Sequence, residues 1–450
     1  MAPTSTVPTT SAGGSTSTAR VAGARRPTPR SGLQRHLPSL GRLDSPVTTY
    51  YLLLGATLLL LVIGLVMVLS ASAVTSLKDS DGNSAFIVFT SQLVFAVLGL
   101  PLMLVASRLP VRAWKRLGWA VMVIALGAQL LVFSPIGVEV NGNRNWIGIA
   151  GMRVQPSEAL KLALVVWGAA VLVRKRPLLD QWKHAVVPLL FPVGALALAL
   201  VLAGHDLGTS MILLLILGAL LFGAGAPARM FLSAGLAMAA LVAALVMSSP
   251  NRMERVGAWI GGTCTDKLNT CMQPIHGKYA LADGGWWGVG LGASREKWSW
   301  LPAAHNDFIF AIIGEELGLP GTLVVLGLFL TLAYACFRLV SRTDDLFVRI
   351  ATCGAMAWLV GQMLINVGAV IGMLPVIGVP LPLVSSGGSA LITSMVALGM
   401  LMSFARREPG AAEALTTRVG VVRRSLAVLP GVLPGVLPGS VSRRLRRPAR

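Results

Sequence analysis

The chain has 450 residues, of which 54% are hydrophobic and 12% charged. Soluble globular chains carry about 25% charged residues, so a string of soluble domains is excluded. A formal net charge of +20 invites a nucleic-acid partner, but the cations sit in two tails and in short loops, and neither tail has an aromatic side chain for base stacking; no nucleic acid is expected.

In chain order, residues 1–49 are Ser/Thr/Pro-rich, with six Arg and one Asp. They lack the apolar stretch of a secretory signal and read as a disordered basic cytoplasmic tail, with a transit peptide as the alternative. Ten apolar stretches follow, at 50–72, 86–107, 115–134, 156–173, 184–203, 207–223, 229–248, 308–336, 349–371 and 386–404. A bilayer core about 30 Å thick takes roughly 20 residues per helix. The pattern therefore predicts an all-α integral membrane protein of ten transmembrane helices, its membrane domain covering 50–405. Only Gly204, His205 and Asp206 part the fifth stretch from the sixth, which leaves a re-entrant hairpin as the alternative there. Of the 38 Lys and Arg, 28 fall on one side of this arrangement. The positive-inside rule then places both termini in the cytoplasm and the long loop at 249–307 outside. Residues 406–450, with ten Arg and a Pro-Gly repeat ending at Gly439, read as a second cytoplasmic tail.

Ionisable residues in costly places are the guide to chemistry. Most acidic residues lie in loops or tails, Glu408 among them, and read as solvated or topological. In Gln155-Pro-Ser-Glu-Ala-Leu-Lys161 the three-residue spacing sets Glu158 and Lys161 on one helix face, as a structural ion pair or as the polar wall of a cavity. Asp206 precedes Leu-Gly-Thr-Ser210 and suits a helix cap. The outward loop carries Cys264 and Cys271, a candidate disulfide. It also carries Lys278, Arg295 and Lys297 around the run Gly284–Gly292, and clustered cations with Gly-rich backbone suit phosphate oxygens. Trp286 and Trp287 mark the loop as interfacial. Asp307 stands where the loop enters the membrane, positioned for general-base work or for capping. Glu315 and Glu316 lie one to two turns further on; adjacent residues diverge by about 100°, so at most one comfortably faces a given cavity. Cys336 and Cys353 read as small apolar fillers.

Five separated motifs carry a resemblance. Gln155-Pro-Ser-Glu158 with Lys161, Asp206–Ser210, the Gly284–Gly292 run, Leu301–Phe310 with Glu315-Glu-Leu-Gly318, and Pro380-Leu-Pro-Leu-Val-Ser-Ser-Gly-Gly-Ser389 together resemble the SEDS family (shape, elongation, division, sporulation) over roughly 50–405. The stretch His305–Gly318 and the Arg-Arg-Glu-Pro ending at Pro409 look more like its division branch than its elongation branch. The resemblance implies a peptidoglycan glycosyltransferase that polymerises lipid II into β-1,4 glycan strands at the outer face of the bacterial cytoplasmic membrane, during septal synthesis. It implies that Asp307 is the essential aspartate and that Glu158 and Lys161 form the polar pair of a central cavity. Lys278, Arg295, Lys297 and Ser386 become candidates for the diphosphate, and Gln155, Asp206, His305, Glu315 and Glu316 structural or cavity-lining candidates. No resident metal site is visible, and a transient Mg²⁺ would travel on the substrate diphosphate. The implied partners are lipid II, the nascent glycan strand, a class B penicillin-binding protein and other division-complex membrane proteins. Cys264–Cys271 reads as an insertion, and Ser385-Ser386 departs from the residues common before the Gly pair. The rivals are a lipid II flippase, which needs no base at Asp307, a scaffold without chemistry, and an elongation-type polymerase.

Overall fold

The computed structural model describes residues 45–79, 82, 84–140, 142–149, 152–179, 181–248, 253, 256, 257, 259, 272–298, 300–411 and 414. Most of both tails, residues 1–44 and nearly all of 412–450, and the Cys264–Cys271 pairing lie outside these residues. Helices cover all ten predicted stretches: α1 (Thr48–Asp79), α2 (Ile87–Ala106), α3 (Val111–Leu131), α4 (Pro156–Lys175), α5 (Trp182–Val186) continued by α6 (Ala195–Ala203), α7 (Leu207–Ala224), α8 (Ala228–Met247), α10 (Ile309–Arg342), α11 (Leu346–Val370) and α12 (Gly388–Ala405). Among the described residues seven of these, α1, α2, α4, α7, α10, α11 and α12, are long and apolar enough to cross a membrane. The fifth stretch is not one straight helix: a π-helical turn at Leu189–Gly194, with non-helical Phe191 and with Pro192, parts α5 from α6, as expected where proline removes a donor and crowds the preceding turn.

Two elements depart from the all-helical expectation. An antiparallel sheet of β1 (Gly137–Val140), β2 (Asn143–Ile149) and β3 (Met152–Val154) joins α3 to α4, with Val138 opposite Trp146 and Gly148 opposite Arg153. Its sequence signal is Asn141-Gly142 between Gly137-Val-Glu-Val140 and the Trp146-Ile147 stretch, a hairpin pair, and Gly142 has φ +78°. In the long loop, α9 (Met272–Gly284) packs against α10.

Close helix pairs rest on small residues, as is usual where lipid offers no competing hydrophobic drive. A Cβ on Gly399 of α12 would lie 2.4 Å from the Met103 carbonyl of α2, and one on Gly99 would lie 2.6 Å from Met395 Sδ. The helix at the eighth predicted span is broken near its start. Gly318 interrupts α10 with φ +65° and ψ −161°, a conformation only glycine adopts readily. Residues 319–342 alone make a helix about 36 Å long at 1.5 Å per residue, enough for the roughly 30 Å core. Glu315 and Glu316 thus belong to a short helix ahead of the span.

At the Arg-rich end Arg338 is buried, donating from Nε to Thr49 Oγ1 at 2.9 Å and from its terminal amine to the Ser45 carbonyl at 2.8 Å. Glu408 is buried beside it rather than solvated. Burial raises its carboxyl pKa, and the Thr49 hydroxyl and the Arg338 and Arg342 charges pull it back.

Candidate active site

The opposite end gathers the five separated motifs of the resemblance, while Arg-Arg-Glu-Pro409 stays at the Arg-rich end. α4 begins with Pro156 at its first position, and Gln155 just before it donates from its backbone N–H to Ser389 Oγ of α12 at 3.1 Å and from Nε2 to Asp206 Oδ2 at 3.0 Å. Asp206 is the cap of α7: Oδ1 accepts from the Thr209 N–H at 2.8 Å and Oδ2 from the Thr209 hydroxyl at 2.7 Å. One carboxylate therefore satisfies a helix terminus and ties it to the start of α4.

Glu158 and Lys161 form an ion pair of 2.9 Å with side-chain exposures of 3% and 2%. Lys161 Nζ also donates to Gln362 Oε1 at 3.0 Å and stands 5.2 Å from the Trp358 ring centroid. An ammonium has three protons, and this one has a carboxylate, an amide oxygen and an aromatic face around it. The pair is almost fully closed off from solvent where α4 meets α11.

Asp307 precedes α10, and the backbone before it is held from three directions. The His305 carbonyl accepts from the Ser386 N–H at 2.9 Å and the Asn306 carbonyl from Ser385 Oγ at 2.7 Å. The Asp307 carbonyl accepts from Asn366 Nδ2 at 2.7 Å, and the same nitrogen donates to the Val379 carbonyl at 2.7 Å. One turn earlier on α11, Gln362 Nε2 donates to the Pro380 carbonyl at 2.8 Å. Gln92 of α2 fixes the other end of this segment through the Ser385 carbonyl and the Gly387 N–H. The Pro380–Ser389 motif is thus a backbone cradle for residues 305–307, and Ser386 contributes its N–H to it. Asp307 itself is half-buried, with Oδ2 3.4 Å from the point where a Gly378 Cβ would stand. The cavity beside it, bounded by Phe308, Asn366 and Gly378, measures about 10 Å³, room for about one water and not for a sugar diphosphate. Substrate must approach from the open face.

Part of the Gly-rich run meets protein rather than open solvent. It packs on the broken helix: the Val289 and Gly290 N–H groups donate to the Glu315 and Glu316 carbonyls at 2.9 and 3.0 Å, and Leu319 N–H donates to the Gly285 carbonyl at 3.2 Å. A Cβ on Gly284 would lie 1.9 Å from the Gly314 carbonyl and one on Gly288 2.3 Å from the Glu316 carbonyl. At Gly284 and Gly288 two backbones touch, whereas Gly285, Gly290 and Gly292 have open space and are set apart by positive φ.

Glu315 and Glu316 both face the loop. Glu315 accepts from Ser294 Oγ and the Arg295 N–H, each at 2.6 Å. Glu316 accepts from Ser70 Oγ of α1 at 2.7 Å and pairs with Lys297 Nζ at 3.0 Å. Lys297 is therefore spent on protein rather than open to a diphosphate. The Arg295 side chain is exposed, as is Lys278, whose stem passes the Gly372 backbone. Nearby, His276 Nδ1 lies 2.7 Å from Glu296 Oε2, with the imidazole stacked on Trp300. Burial raises the Glu296 pKa and the His276 contact lowers it in part. Among the described residues no group of three His, Cys, Asp or Glu side chains could hold a metal ion. Ser70, Gln92, Ser294, Gln362, Ser385 and Asn366 were not anticipated from the sequence as site residues. The available signal was an uncharged amide inside an apolar span, at 92, 362 and 366.

The fold and the site define a helical membrane protein with the Asp307 segment of a long loop cradled at one end of its bundle. Residues 50–409 match the family model of the FtsW, RodA and SpoVE cell cycle proteins, and the chain belongs to this SEDS family. It is 42% identical over 394 residues to the probable peptidoglycan glycosyltransferase FtsW of Mycobacterium tuberculosis, covering 87% of this chain and 73% of that one. It is 36% identical over 356 residues to the stage V sporulation protein E of Bacillus subtilis, covering 79% and 96%. Among solved structures it resembles a chain of a peptidoglycan synthase complex that coordinates polymerization and crosslinking, with TM-score 0.64, 26% identity and 79% and 97% coverage. Thermus thermophilus RodA gives TM-score 0.58, 25% identity and 80% and 97% coverage. Within the family the chain is most like FtsW.

Proposed function

We propose that this chain is a peptidoglycan glycosyltransferase of the division type, polymerising lipid II at the outer face of the cytoplasmic membrane. Ten spans cross the bilayer, with both termini in the cytoplasm, the Arg-rich end inward and the Asp307 end outward. The level of the outer surface is set by Ser70, about 33 Å along α1 from Thr48 at 1.5 Å per residue, which reaches Glu316. Trp286 and Trp287, 73% and 85% exposed, then lie at headgroup depth, where Trp is favoured.

The carrying observation is Asp307: a carboxylate at the mouth of the bundle whose backbone is fixed by Asn366, Ser385 and Ser386. Its oxygen accepts the proton of the acceptor sugar's 4-hydroxyl while that oxygen attacks the anomeric carbon of the donor. The bond from that carbon to the polyprenyl diphosphate breaks, inversion gives the β-1,4 linkage, and the diphosphate departs with its electron pair. A diphosphate leaves without a protonated partner, unlike the leaving groups met by two-carboxylate glycosidases. Its charge is met by exposed Arg295 and Lys278 and by any divalent cation it brings. A class B penicillin-binding protein is the partner that would crosslink the product, and septal enrichment follows from the division branch. A flippase reading draws on the intramembrane Glu158–Lys161 pair, but that pair is sealed.

The test is polymerisation of labelled lipid II by purified protein, with and without the transpeptidase, for wild type and Asp307→Asn. Glycan strands from wild type and none from an equally folded variant are expected. Equal polymer from both removes Asp307 from the chemistry, and no polymer from either with the partner present favours the flippase.

A further inference from the structure

Lys297 and Glu316 stand at the two ends of the excursion that carries Asp307, ten residues before it and nine after. The strand Ser294–Lys297 is bolted to Glu315 and Glu316 by Ser294 Oγ, by the Arg295 and Ser294 N–H groups and by the Lys297 ammonium. Ser70 of α1 binds the same carboxylate, so the clamp is joined to the first span. Lys297 is 6% exposed, and its ammonium has three acceptors within reach: Glu316 Oε1 at 3.0 Å, the Gly292 carbonyl at 2.7 Å and Ser70 Oγ at 3.2 Å. Three donors meet three acceptors, leaving no proton for a phosphate oxygen.

We propose that Lys297 is a positioning residue: its ion pair with Glu316 closes the base of the Asp307 loop and holds the carboxylate at the mouth of the bundle, without touching substrate. This rests on the role given to Asp307 above. A charged pair suits the task because Glu316, essentially inaccessible to solvent, needs a countercharge where hydroxyls alone would leave it under-compensated.

The experiment uses the full chain in detergent with lipid II and four variants: Lys297→Met, Lys297→Arg, Glu316→Gln and the exchanged pair Lys297→Glu with Glu316→Lys. Lys297→Met is expected to lower kcat at least tenfold with KM for lipid II within twofold, Lys297→Arg to stay within threefold of wild type, and the exchanged pair to recover at least threefold over Lys297→Met. A KM raised tenfold with kcat kept, and no recovery on exchange, overturns the proposal and makes Lys297 a substrate ligand. Amide exchange is read in parallel, because it needs no reaction and tolerates loss of activity. Lys297→Met should speed exchange at residues 303–308 at least tenfold while α7 keeps its protection. Unchanged exchange there removes the clamp even where polymer is lost; a wild type that makes no polymer removes the proposed reaction instead.

Discussion

Asn366 offers the sharpest test of how the bundle aims Asp307. Its side chain is almost fully buried, and one nitrogen lies 2.7 Å from both the Asp307 and the Val379 carbonyl oxygens. Because both neighbours are acceptors, the amide must present nitrogen to them. Asn366→Ala removes two neutral hydrogen bonds, each worth about 0.5–1.5 kcal/mol net, so a stability loss of about 1–3 kcal/mol is expected in thermal unfolding. Activity should suffer more than that figure implies. A misplacement of about 1 Å in a reacting group costs about 100-fold, and releasing the carbonyl of Asp307 itself permits a shift of that order. A fall in kcat of about 10- to 100-fold for lipid II polymerisation is the expected result. Asn366→Asp is the decisive companion. It is nearly isosteric, yet it puts an oxygen where two carbonyl oxygens already point, and it should be at least as damaging as alanine. An Asn366→Asp protein with wild-type rate and wild-type melting would refute the reasoning, because Asp307 would then be aimed by something other than α11.

Two further outcomes follow from the loop. Gly288→Ala places a methyl 2.3 Å from the Glu316 carbonyl in a residue with φ +76°; backbone strain of about 1–3 kcal/mol should lower the melting temperature and loosen the outward loop to limited proteolysis, whereas Gly290→Ala, at φ +105° but with open space around its Cβ, should show the strain without the clash and lose less. Glu296 supplies the pH test: burial raises its carboxyl pKa in the folded state, so the folded form holds the proton more tightly and the contribution is fully favourable below the unfolded value, about 4.3, and is lost as pH rises through the folded value. Glu296→Gln should therefore flatten the fall in melting temperature over that window, and an unchanged pH profile would refute the assignment.

The sequence made the helices legible because each needed only length and apolarity, and those are local properties. Helices occupy the places of all ten apolar stretches, yet the one at the eighth is broken. The reason is Gly318: an apolar run continues through it from Ile309 to Arg342, and periodicity does not register a single left-handed residue. The sheet at 137–154 has Asn141-Gly142 as its local signal, and strands of three to seven residues are far shorter than the apolar runs of about 20 that mark a span. At the site, the charged candidates were visible one by one, since ionisable groups in apolar surroundings stand out. Their partners were not. Ser70 meets Glu316 across 246 positions and Lys161 meets Gln362 across 201, and no local pattern encodes such separations. The Gly284–Gly292 run is ambiguous for a related reason: glycine reports that something approaches the backbone, and the sequence does not say whether it is a ligand or, as at Gly284 and Gly288, another stretch of protein.

The break at Gly318 changes what the remaining buried charge is for. With Glu315 and Glu316 ahead of the span, and Asp206 and Asp307 at helix starts, Glu158 and Lys161 are the acid-base pair enclosed within the bundle itself. Breaking such a pair costs about 3–5 kcal/mol, whereas replacing both members by apolar groups is often neutral, so stability alone does not explain why the charges are there. Their connections offer a reason. Lys161 fixes the Gln362 oxygen, which orients that amide so that its nitrogen meets the Pro380 carbonyl. One turn further along α11, Asn366 meets the adjacent Val379 carbonyl and the Asp307 carbonyl with the same nitrogen. An apolar pair could hold α4 against α11 equally well, but it would leave the Gln362 oxygen to the Trp358 indole N–H, which donates to it at 3.0 Å. The ion pair thereby adds a second donor to an amide whose nitrogen meets the segment that cradles Asp307.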